Sequence, residues 1–125
     1  MKIMISSVPH GVCRNESVGD YGGRFPSDCW IKVSRTGDWR MDFCIAAHEL
    51  VEFALCSHRG IKNKDILAFD RVFEASRCPG SHVEPGDDPK APYKAEHAFA
   101  TRIERLMVEE LGINWEEYEA KVDSL

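Results

Sequence analysis

The sequence predicts an α+β fold, a small N-terminal β-sheet packed on a bundle of three to four α-helices. Three observations predict it. β-Branched and apolar runs with partial alternation lie only before residue 37, at Lys2–Val8 and Cys29–Arg35. From about Trp39 the apolar spacing becomes helical, in segments closed by Gly60 and Gly112. A chain of 125 residues, 43% hydrophobic and 30% charged, is the size and composition of one domain with its own core. Residues 1–125 therefore read as a single domain, with strands and loops over 1–37 and helices over 38–125.

Taken in order, Lys2–Val8 is a first strand. Pro9–Arg24 holds four glycines, Asn15 and Asp20 among few apolar residues and reads as a loop. Cys29–Arg35 is a second strand, and Thr36-Gly37-Asp38 turns the chain. Asp38 or Asp42 can cap the helix that follows, Trp39–His58. A second helix spans about Lys62–Arg77, with Ile66, Phe69 and Phe73 on one face. The segment 78–92 carries four of the six prolines, two glycines and the acidic group Glu84, Asp87 and Asp88. A loop of that length in a small domain is a candidate functional loop. A third helix runs from about Tyr93 to Leu111. Asn114 caps a fourth, with Glu117 in capping-box position and Ile113 and Tyr118 placed as a hydrophobic staple.

Composition excludes several classes of function. A formal net charge of −5 argues against an extended nucleic-acid footprint, which needs a basic face to displace counterions. No apolar run approaches the roughly 18 residues of a membrane span. The apolar start, Met1 to Ile5, is too short for a signal peptide, so a cytoplasmic address is expected. Five cysteines, an odd number with no C-x-x-C, argue against a disulfide framework or a zinc finger. Cys44 and Cys56 fall within an apolar helix and read as small hydrophobes. No P-loop, dinucleotide or nucleophile-elbow fingerprint is present. His10, His58 and His82 have no partner by spacing and read as surface residues.

The first helix concentrates the chemistry. It is apolar almost all the way round, the pattern of a helix at the centre of a domain. Yet it carries His48, Glu49 and Glu52, and His48 and Glu52 share a face at i, i+4. A buried carboxylate must be paired, protonated or metal-bound. Two explanations stand: an ion-pair network completed by Arg71, Arg102 or Arg105, and a metal site. The third helix adds weight to the metal. Glu96 falls within its apolar arc of Tyr93, Ala100, Ile103, Met107 and Leu111, and His97 and Glu104 lie along its edge. If the two helices pack, His48, Glu52 and either His97 or Glu96 supply three ligands.

Ile45-Ala46-Ala47-His48-Glu49-Leu50-Val51-Glu52-Phe53-Ala54-Leu55 resembles the active helix of zincin metallopeptidases, in which H-E-x-x-H follows a short sheet. Glu96-His97-Ala98-Phe99-Ala100 is similar to the third-ligand helix of the small ImmA/IrrE-type members. The resemblance implies that His48, Glu52 and Glu96 are ligands, that Glu49 is the general base, and that a metal-bound water hydrolyses a peptide or a small molecule. Glu52 stands where zincins have their second histidine. Zinc is the favoured ion, and the extra carboxylate leaves room for manganese or iron. His97 would restore the histidine count.

Two further likenesses point elsewhere. Asp70 and Glu74, four apart on the second helix, form with Glu49 and Glu52 a pair of acidic helices. That is similar to MazG-type nucleotide pyrophosphohydrolases, although order and spacing depart from their pattern. The whole-chain pattern, including Glu84-Pro85-Gly86-Asp87-Asp88 and Ala91-Pro92-Tyr93, resembles small bacterial and phage proteins. The reading that competes with an enzyme is a non-enzymatic phage or bacterial accessory protein with a protein partner and a structural His/Glu cluster.

Overall fold

The computed structural model describes residues 1–125. A three-stranded sheet is followed by four helices: β1 (Ile3–Val8), β2 (Gly19–Arg24), β3 (Asp28–Ser34), α1 (Trp39–His58), α2 (Asn63–Ala75), α3 (Lys94–Glu110) and α4 (Trp115–Asp123). The expected α+β class is the one observed. β3 is the central strand, parallel to β1 from Ile3↔Cys29 to Val8↔Ser34 and antiparallel to β2 from Gly19↔Val33 to Arg24↔Asp28.

β2 corrects the sequence reading, which left Pro9–Arg24 as loop. Its Gly-Asp-Tyr-Gly-Gly-Arg run has no apolar alternation. The glycines answer to neighbours instead. A Cβ on Gly19 would collide with the Glu49 side chain, and one on Gly22 with the Trp30 ring. The strand forms because β3 offers a hydrogen-bonding edge, not because its own residues favour extension.

α1 begins at Asp38, whose side chain accepts from the Arg40 N–H, so the first of the two candidate caps is the one used. Asp42 does other work. Its carboxylate accepts from the Thr36 N–H, the Thr36 hydroxyl and the Ser7 hydroxyl, tying the helix start to the sheet. Ile31, Val33 and Cys29 of β3 pack with Cys44, Ile45, Ala46 and Phe53 of α1, Val108 of α3 and Tyr118 of α4. A smaller cluster of Cys56, Ile66, Ala91 and Tyr93 attaches α2.

Burial of α1 is less complete than its apolar circumference predicts. Trp39 is 69% exposed and Phe43 49% exposed, because sheet, α3 and cleft together cover only part of the helix. Cys44 and Cys56 are buried free thiols, as expected of small hydrophobes. Asn114 caps α4 by accepting from the Glu117 N–H, and the staple residues Ile113 and Tyr118 are both buried. The segment 78–92 contains one 3-10 turn, Pro85–Asp87, seated against α2 and α3. No helix is long and apolar enough to cross a membrane.

Candidate metal centre

α1 and α3 run antiparallel, and their polar residues meet in register: His48 faces Glu104 and Glu52 faces His97. Spacings of four on α1 and seven on α3 keep each pair on one helical face. The contact brings three ligand atoms together. His48 Nε2 lies 3.3 Å from Glu52 Oε2 and 3.2 Å from His97 Nδ1, and His97 Nδ1 lies 2.9 Å from Glu52 Oε2. All three residues are buried. Zinc ligands at about 2.0–2.1 Å and tetrahedral angles stand about 3.3 Å from one another, so this spacing already suits an ion. Two imidazoles and one carboxylate form a zinc-type donor set. This buried His48/Glu52/His97 group could hold a metal ion.

The other nitrogen of each ring is held by a carboxylate. His48 Nδ1 is 2.8 Å from Glu104 Oε2, and His97 Nε2 is 3.0 Å from Glu84 Oε2 and 3.5 Å from Asp87 Oδ1. Carboxylates placed there orient a ligating imidazole and raise its basicity. Tyrosines brace the acids in turn: Tyr21 donates to Glu52 Oε1 at 2.9 Å, and Tyr118 donates to Glu104. Gly86 completes the fit, since a Cβ there would overlap the His97 ring.

The electrostatics are set by burial opposed by the pairing of both histidines with carboxylates. Burial pushes the Glu52 carboxyl up, but hydrogen bonds from both histidines outweigh it and bring it to about 2. Burial pushes His97 down, and its bonds to Glu52 and Glu84 overcome this to leave it at about 10. His48 is likewise raised, with Glu104 and Glu52 overcoming desolvation. The 3.2 Å gap between the two ring nitrogens nevertheless has room for one proton between them, or for a shared cation.

Glu49 is a partly buried carboxyl beside this group, without a hydrogen-bond or ion-pair partner. Burial and the neighbouring Glu52 raise its pKa, with His48 opposing. It lines, with the three ligand residues, a cleft of about 580 Å³ walled by β2, α2, α4 and the 78–92 segment.

The remaining expectations divide. Glu96 is corrected: it is buried, but its carboxylate is bound by Arg59 Nη1 at 2.5 Å and is not among the converging atoms. One residue along the helix, about 100° of rotation, separates it from His97. Asp70 and Glu74 line the same cleft without forming a joint acidic site. Asp70 accepts from the Tyr93 hydroxyl at 2.5 Å and is pushed up by burial to about 6, while Arg77 grips Glu74 through two nitrogens. Of the arginines expected to complete an ion-pair core, Arg71, Arg102 and Arg105, none bonds Glu49 or Glu52. Sequence reasoning missed Tyr21, Tyr118, Glu84 and Asp87 as neighbours of the site. Advance signals were Glu104, two turns from His97, and the reading of 78–92, with Glu84 and Asp87, as a candidate functional loop. No protein-family profile, curated protein or solved structure matches the chain.

Proposed function

We propose that the protein is a metal-dependent hydrolase whose zinc ion is held by His48, Glu52 and His97. The convergence of three ligand atoms at the floor of an open cleft carries the reading. His48, Glu52 and His97 would hold the zinc, which would supply Lewis acidity and activate a water near neutral pH. Glu49 is the base: it is unpaired, faces the cleft beside the ligands, and burial beside Glu52 raises its proton affinity, as a proton acceptor requires. Glu104 and Glu84 hold the ligand rings, and Tyr21 and Tyr118 hold carboxylates. Peptide amides are the substrate class, on the likeness to zincins. The five free thiols suit a reducing cytoplasm.

Metal analysis of the chain purified without a polyhistidine tag tests this. About one zinc per chain is expected, lost in His48→Ala and His97→Ala and retained in Glu96→Gln and Glu49→Gln. Glu49→Gln should cut peptide turnover roughly 10²–10⁴-fold, the worth of a general base. Absence of bound metal, with a melting temperature indifferent to chelator, would overturn the reading. One observation favours a second reading, a structural cluster in an accessory protein: no buried polar side-chain atom lacks a partner. Under it, Glu49→Gln leaves every measurable hydrolysis unchanged and chelator has no effect.

A further inference from the structure

The cleft carries a charge asymmetry that three metal ligands do not require. Of the chain's 21 Asp and Glu residues, eleven line it; of its 16 Lys and Arg residues, only Arg14 and Arg77 do. Both guanidinium groups are already used. Arg14 grips Asp20 through Nε and Nη2 and also donates to the Tyr21 carbonyl, and Arg77 grips Glu74 and donates to the Ser81 carbonyl. No ammonium or guanidinium is left to meet an incoming anion. The acids are not covered in the same way. Glu16, Glu119 and Asp123 are exposed at the rim, where Asp123 has only His82 at 3.8 Å, and Glu49 inside is unpartnered.

A concave surface with walls of low dielectric focuses the field of one sign and draws in the opposite one. We infer that this cleft selects a cationic peptide segment, with Lys or Arg side chains flanking the bond presented to the metal centre. The peptide class rests on the hydrolase reading; the sign of the charge rests on the lining alone. A nucleoside triphosphate would meet carboxylates with no free ammonium or guanidinium to offset them and only the bound zinc to attract it, so the cleft favours the basic peptide over it.

The test uses the full-length, zinc-loaded chain and three fluorescent probes: a hexapeptide alternating Ala with Lys or Arg, its Glu counterpart, and a labelled ATP. The basic peptide should bind, more weakly as salt rises, and the other two should not. Glu16→Gln/Glu119→Gln/Asp123→Asn removes three rim charges without touching the ligands or Glu49. It should weaken the basic peptide about tenfold, whereas Asp28→Asn/Glu109→Gln/Glu110→Gln, the same charge change outside the cleft, should act less than about twofold. Equal weakening by both variants, no binding of the basic peptide, or preference for the Glu peptide or ATP would overturn the inference. Zinc content and cleavage are read on the same samples. Charge selection without zinc or cleavage would overturn the hydrolase reading alone, and cleavage without charge selection would overturn this inference alone.

Discussion

His97 is the residue through which the site's two sets of acids communicate: Nδ1 faces Glu52, and Nε2 faces Glu84 and Asp87. Its proton affinity fixes a pH dependence. Raised from 6.5 to about 10, His97 adds stability that is complete below pH 6.5 and lost as pH rises through about 10. Glu52, lowered from 4.5 to about 2, adds stability that is complete above pH 4.5 and lost as pH falls through about 2. These two groups contribute most to the metal-free protein between pH 4.5 and 6.5. Asp70, raised from 3.8 to about 6, and Glu49, also raised, lose stability as pH rises across that window, so the melting temperature should peak toward its acid end and decline on both sides. Zinc bound as proposed would displace the protons, so its stabilising effect should grow from pH 5 to pH 8. Thermal melts across pH, with zinc and with chelator, check both; a zinc effect that shrinks with rising pH counts against the site. Tyr118→Phe frees the carboxylate that orients His48. Zinc affinity should fall about 10–100-fold, the usual effect of disturbing such a partner, and competition with a chromophoric chelator measures it.

Among the elements, the Pro85–Asp87 turn and strand β2 shape the site without supplying any of the three ligands. Gly86→Ala puts a methyl group into the His97 ring, so either the turn or the ring must move. We expect weaker zinc binding and faster hydrogen exchange over 78–92, while α1 and β3 keep their protection; loss of protection throughout would mean that the turn supports the whole fold. Asn114→Ala removes the α4 cap at an exposed position and should cost about 1 kcal/mol in chemical denaturation with no change in zinc binding. Helix ends like this one were legible because capping is local, decided by residues within one turn. β2 was not, because three of its six residues are glycines whose purpose is close approach to other parts of the chain.

For the whole molecule, the proposed metal binding would be linked to folding. Zinc bound only by the native state stabilises it by about 2.7 kcal/mol at a free concentration 100 times Kd. For a chain of this length that is several degrees of melting temperature. Chelator should remove this shift in the wild type and have nothing to remove in His48→Ala; scanning calorimetry decides. The sequence by itself determined the helix spans to within two residues, the central strand, the capped fourth helix and the polar residues of α1 that needed partners. All of these follow from periodicity, capping and the cost of burying charge, each a property of a short stretch. Tertiary structure decided which partners were taken. Residues 48 and 52 meet residues 97 and 104 only because α1 and α3 pack antiparallel in one register. A rotation of α3 by one residue would have exchanged His97 for Glu96. The loop that supplies Glu84 was marked by its length and acidity, but its place against His97, like that of the tyrosines that brace the acids, was not, since nothing short of packing sets the distance between them.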